Sequence, residues 1–166
     1  MSPKNLDFKI GDAVVYPKHG VGEIVKIESM EIANIKTMFY VVKMEQSKLT
    51  IRVPLDKQNE VGLRKISPKK DIEEVFGVLK LKPKIRRIMW SRRAQEYDSK
   101  IFSGDPIKIA EVVRDLFRKN TQAEQSYSER QMFQIAIERL AREVAAVEKT
   151  DYFQSTEKIE TILRNK

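Results

Sequence analysis

Seven cations crowd into the fourteen residues from Lys80 to Arg93: Lys80, Lys82, Lys84, Arg86, Arg87, Arg92 and Arg93. No acidic residue falls between Glu74 and Glu96, and the only tryptophan, Trp90, stands near the end of the stretch. Guanidinium and ammonium groups at this density neutralise phosphates, and an aromatic ring beside them wedges or stacks against bases. The remainder of residues 71–166 carries 12 basic against 16 acidic residues, a balance of −4, so the positive charge is concentrated. A basic face with an aromatic in it is the electrostatic footprint of a nucleic-acid binder.

Other chemistry is poorly served. His19, the only histidine, lies between Lys18 and Gly20. It has no second histidine, no cysteine and no nearby Asp–Ser pairing to act with, so it reads as a turn residue and not a general base. The run from His19 to Gly22 follows a proline and lacks the third glycine and the helix of a dinucleotide site, so it too reads as a turn. The absence of cysteine excludes disulfides and cysteine-based metal sites and suits a reducing compartment. No catalytic residue, metal or cofactor is expected.

The elements that must position the basic stretch come from a chain of 166 residues, enough for one ordinary domain or two small ones. It is 41% hydrophobic and 34% charged, which allows a core and a richly charged surface. Of the net charge of +8, residues 1–70 contribute +5, from 13 basic and 8 acidic residues. The N-terminus has no apolar signal core, and no apolar run approaches the ~20 residues of a membrane span. A cytoplasmic, bacterial-type protein with a polyanionic partner and no membrane contact is expected.

The first sixty-six residues read as strands. Short β-branched and aromatic runs from Phe8 are punctuated by Gly11-Asp12 and by Pro17 to Gly20. Ile24, Val25 and Ile27 lead to a turn over residues 33–36; Met38 to Met44 follow, then a turn over 45–48, then Leu49 to Pro54. About five short strands suggest a small, strongly bent antiparallel sheet of the Tudor or SH3 kind, an architecture that binds partners and seldom catalyses.

After Lys70 the period changes. Ile72, Val75, Phe76 and Leu79 mark an amphipathic helix with Asp71, Glu73 and Glu74 in its first turn, broken by Pro83. A second helix begins between Lys84 and Ser91 and ends at Ser103-Gly104; Asp105-Pro106 then opens a third, carrying Ile109, Val112, Val113, Leu116 and Phe117. A polar loop over 119–126 leads to Ser128, with Gln131 three residues on as a capping box, and to the longest helix, from Met132 to Val147. A break over residues 151–154 precedes a last short helix from Thr156 to Arg164. The expected fold is α+β: a Tudor-like domain over 1–67 and a compact bundle of about five helices over 68–166.

Two geometries are open for Trp90. If the helix already runs at Lys84, Ile85, Ile88 and Met89 pack inward and Trp90 lies about 140° from Ile85, among Arg86, Arg93 and Tyr97. If it starts later, Trp90 sits in the first turn beside Arg92 and Arg93. A core tryptophan with solvated neighbours is the ordinary alternative to both.

The run from Phe8 to Gly22 resembles the opening of the CarD family of bacterial RNA-polymerase-binding regulators. Further similar motifs follow in order: Phe39 to Val42, Leu49 to Pro54, Val61 to Arg64, Trp90 to Arg93, and Ile109 to Leu116. Each is weak alone; together, in order across residues 8–163, they are specific. The first half is also similar to the polymerase-binding module of the transcription-repair coupling helicase, but the chain has no helicase motor. The resemblance implies a Tudor-like domain docking on the polymerase β subunit, partly by strand addition. Thr50, Ile51, Arg52 and Val53 would supply the edge, and Met30 and Ile32 an apolar contact, Met30 standing where some members carry arginine. Pro54 suits a strand end or sheet edge on its own account, because it cannot donate to a ladder.

The resemblance also implies that Trp90 wedges the minor groove at the upstream edge of the promoter bubble. Lys84, Arg86, Arg87, Arg92 and Arg93 would be the DNA contacts, while Gln95 stands where some members carry a phosphate-contacting lysine. The implied protein is an adaptor between RNA polymerase and promoter DNA that stabilises the open complex; a monomer is expected, since nothing in the sequence demands a dimer. A free-standing architectural DNA-binding protein, a protein-interaction scaffold and, last, an enzyme are the rivals.

Overall fold

The computed structural model describes residues 6–118 and 126–166, and the chain divides after Ile66 into two compact units. The first is an antiparallel sheet in the order β4-β3-β2-β1-β5, formed by β1 (Ala13–Tyr16), β2 (Gly20–Ile32), β3 (Ile35–Met44), β4 (Thr50–Pro54) and β5 (Arg64–Lys65). A 3₁₀ turn at Leu55–Lys57 and the one-turn helix α1 (Gln58–Val61) bring the chain from β4 back to β5. The core collects Phe8, Val14, Ile24, Tyr40, Val42, Met44, Val53 and Leu63, with Phe8 set edge-on to Tyr40 at 5.2 Å. With a helical second unit, this is the α+β, Tudor-like plan that the sequence implies.

A bulge corrects the register of the longest strand. Ile24 pairs with Val42 and Lys26 with Val41, which leaves Val25 as the extra residue. Ile24 and Ile27 are three apart and would face opposite sides of a regular strand; the bulge puts both against the core. The β2–β3 hairpin turns on Ala33 and Asn34 alone, both at positive φ, so the strands run closer to the tip than a four-residue turn over 33–36 allows.

The glycines near His19 have separate duties. The turn is Pro17 to His19, whose N–H donates to the Tyr16 carbonyl at 2.8 Å and whose ring meets the Tyr16 ring at 5.0 Å. Gly22, expected in that turn, lies inside β2, where a Cβ would come within 2.9 Å of Val42 Cγ1 and 3.0 Å of Met44 Sδ. It is a packing glycine.

The second unit holds five helices among the described residues: α2 (Lys69–Leu79), α3 (Trp90–Phe102), α4 (Pro106–Leu116), α5 (Tyr127–Glu148) and α6 (Tyr152–Arg164). Their apolar stripes meet in a core that includes Ile72, Val75, Leu79, Ile101, Val112, Val113, Leu116, Leu140, Val144, Ile159 and Leu163. The expected ends hold at α4, where Asp105 Oδ1 accepts from the Ile107 N–H at 2.9 Å and Pro106 follows.

Elsewhere the ends move. α2 starts at Lys69, so of its acidic residues only Asp71 is in the first turn, and it stops at Leu79, before Pro83 is reached. α5 is capped by Ser126, whose Oγ accepts from the Glu129 N–H at 3.2 Å, and not by Ser128. The Ser126 to Glu129 spacing is itself a capping-box spacing, and the earlier start sets Glu129 3.9 Å from Arg118. α6 begins four residues early because Asp151 Oδ1 accepts from the Gln154 N–H at 2.8 Å. Residues 119–125 of the expected loop, like 1–5 of the N-terminus, lie outside the described residues.

Replacing Gly22 with alanine should overpack the sheet and cost about 1–3 kcal/mol. Urea denaturation of wild type and Gly22→Ala measures it as a lowered midpoint.

Candidate functional site

From Lys80 to Met89 the basic stretch is a connector, and its last four residues open a helix. Lys82 to Arg86 carry no regular structure, and α3 starts only at Trp90, so the later-start geometry holds. Its course is set at two points. Lys166 Nζ donates to the carbonyls of Leu79 at 3.2 Å and Leu81 at 2.8 Å, where α2 ends. Further on, the Lys84 N–H donates to Asp115 Oδ1 at 2.9 Å. Asp115 is buried, and the same oxygen accepts from Arg114 Nε at 2.8 Å. The connector's backbone is thus held to the bundle while Lys80, Lys82, Lys84, Arg86 and Arg87 face solvent.

The inward packing expected of an early helix is absent. Ile85 is 47% and Met89 75% exposed. They lie before α3 and so have no place on its wheel, whose buried positions are Tyr97 and Ile101. Trp90, Arg93, Tyr97 and Ile101 follow one another at 3.6-residue spacing along that inward face. Trp90 therefore extends the buried face to the helix N-terminus, where it is half-buried, and does not stand opposite it.

The ring is held by a cation. The Arg93 guanidinium carbon lies 5.4 Å from the Trp90 centroid and 5.7 Å from that of Tyr97, and Arg93 Nη2 donates to the Tyr97 hydroxyl at 3.2 Å. Trp90 and Tyr97 are 6.2 Å apart at 50°. Arg93 Nε is buried without a hydrogen-bond partner, and the two ring faces offset part of its desolvation.

The predicted DNA contacts therefore differ in what they have free. Arg93 is engaged by rings, and Arg86 pairs with Glu96 at 2.5 Å. The side chains of Arg87 and Arg92 are exposed, with no ion pair or hydrogen bond among the described residues. An open groove beside them is lined by Arg86, Arg92, Gln95, Glu96, Ser99 and Lys100. The start of α3 adds to this field, because its N-cap, Met89, supplies no side-chain acceptor and no acidic residue lies in the first turn.

The sheet carries the second candidate surface. β4 lies at one edge of the sheet, and its last residue is Pro54. Val53 is 2% exposed and Ile51 packs on the core, so of the predicted docking residues these two have only backbone to offer. Thr50 and Arg52 point to the other face. The cross-strand pairs Glu28–Phe39, Met30–Thr37 and Val41–Arg52 put Met30 and Ile32 on that same face, towards the hairpin tip, 43% and 51% exposed. Arg52 is half-exposed and reaches across β3 to Glu28 at 3.5 Å. Sequence reasoning missed this partner, whose only signal is strand register.

Residues 74–160 match the family model described as CarD, C-terminal domain. Residues 8–67 match that described as CarD-like/TRCF RID domain. The chain is similar to a Bacillus subtilis (strain 168) protein named "Putative transcription factor YdeB", with 31% identity over 140 residues, covering 84% of this chain and 92% of that protein. It is also similar to a solved structure titled "CdnLNt" from Myxococcus xanthus, at 39% identity, covering 40% of this chain and 93% of that one with a TM-score of 0.32.

Two outcomes follow from the geometry. Arg93→Ala should red-shift Trp90 emission and increase its quenching by acrylamide, at a stability cost of about 1 kcal/mol or less. Asp115→Ala leaves Arg114 buried without its counter-charge and should cost about 3–5 kcal/mol by chemical denaturation.

Proposed function

This chain belongs to the CarD family of transcription regulators, and from that premise we propose that it docks on the RNA polymerase β subunit and stabilises the open promoter complex. The observation that carries the reading is the basic connector: Arg87 and Arg92 stand unpaired beside a half-buried tryptophan at an uncapped helix start. Phosphates of the upstream duplex meet Arg87, Arg92, Lys84 and the first N–H groups of α3. Arg86 joins them by exchanging Glu96 for a phosphate. Trp90 meets the minor groove at the bubble edge, where stacking is already weakened and a wedge costs least.

The sheet supports the other half. β4 offers unpaired main-chain groups for a strand of the polymerase, with Arg52 and Thr50 on one face and the apolar Met30 and Ile32 further along it. Glu28 pairs with Arg52 at 3.5 Å, an exposed contact that Arg52 exchanges for an acidic site on the polymerase. Docking raises the local concentration of a weak DNA contact, so affinity for free DNA is modest. Trp90 shifts the balance between closed and open complexes by binding the distorted junction better than intact duplex. The protein then works in the cytoplasm, as a monomer, without nucleotide, metal or catalysis.

The lifetime of the open complex on a promoter fragment, with and without the protein, tests this. Wild type should prolong it; Trp90→Ala and Arg52→Glu should each lose the effect, with only Arg52→Glu losing polymerase in a pull-down. Unchanged lifetimes together with tight, steeply salt-dependent binding to bare DNA would mean a free-standing architectural protein instead.

A further inference from the structure

Trp90 is only half-free, since Arg93 and Tyr97 hold its ring along the inward face of α3. The residue before it is different. Met89 is 75% exposed, at the N-cap position of α3 with φ −55° and ψ 143°, an extended conformation that directs the chain out of the helix. A large apolar side chain so open to water has no structural duty in the bundle. It is flanked by the unpaired Arg87 and Arg92, whose charge draws in a polyanion and not an apolar protein face.

We propose that Met89 is a second DNA wedge, entering the same distorted step as Trp90 and supplying the mobile part of a two-residue insertion. This rests on the reading that Trp90 meets DNA. The chemistry suits it: methionine is unbranched and polarisable, fits irregular gaps, and is among the side chains that enter between base steps. The clamped indole supplies a rigid flat face. The free thioether fills the space that opens beside it as the step unstacks.

The test uses the full chain with polymerase and a promoter fragment carrying 2-aminopurine at the upstream bubble edge. Wild type should raise the 2-aminopurine fluorescence and prolong the open complex. Met89→Ala should lower both, the lifetime by about fivefold, as for removing a large apolar contact from an interface. Met89→Leu should retain most of the effect, because it keeps the apolar bulk.

If Met89→Ala matches wild type while Trp90→Ala loses both signals, the second wedge is wrong and the promoter function stands. If neither wild type nor Trp90→Ala changes either signal, the promoter reading itself has failed and the wedge with it. Binding to vesicles of anionic phospholipid that Met89→Ala abolishes, with both DNA signals untouched, would assign Met89 to a membrane surface and overturn the proposal.

Discussion

One buried carboxylate holds the basic connector of the helical unit in place. Asp115 Oδ1 takes both the Arg114 guanidinium and the Lys84 backbone N–H, at 2.8 and 2.9 Å. The first bond compensates a charge that burial would otherwise make costly. The second ties the middle of the connector to α4. With Lys166 gripping the end of α2, the five cations from Lys80 to Arg87 are displayed on a backbone that is itself held. Side chains that start from an ordered backbone lose less freedom on meeting phosphates than those of a floppy basic tail.

The aromatic part depends on the same arrangement. Because the connector stays non-helical up to Met89, α3 begins at Trp90 and its wheel is set by Tyr97 and Ile101. Trp90 thus belongs to the buried face and to the surface at once, with Arg93 between two rings as the link. Such a ring cannot swing freely, which suits the wedge role proposed for it. In the sheet a comparable economy operates: one bulge at Val25 sends Ile24 and Ile27 inward and leaves Glu28, Met30 and Ile32 on the face shared with Arg52.

Much of the architecture was legible in residue order. β-branched runs broken by turn residues gave way to a 3.6-residue period after Lys70, and Asp105-Pro106 opened a helix where capping chemistry says it should. Concentrated charge from Lys80 to Arg93 and the single Trp90 marked the candidate site without any structure, since charge density and residue type are properties of sequence. Helix starts at Ser126 and Asp151 were misplaced because several serines and aspartates have capping spacing, and the choice depends on which start buries the following stripe.

Tertiary structure alone decided which of the marked residues are free. Arg86, Arg92 and Arg93 look equivalent in sequence, yet Glu96 takes the first, two rings take the third and Arg92 remains open. Ile51 and Val53 differ from Thr50 and Arg52 only in which way the strand turns them, and register with β3 settles that. Met89 would pack inward on a helix already running at Lys84 and proves exposed, because α3 begins only at Trp90. Residue type is local, so the sequence determined the chemistry; pairing and exposure arise from contacts distant in the chain, so only the fold could assign them.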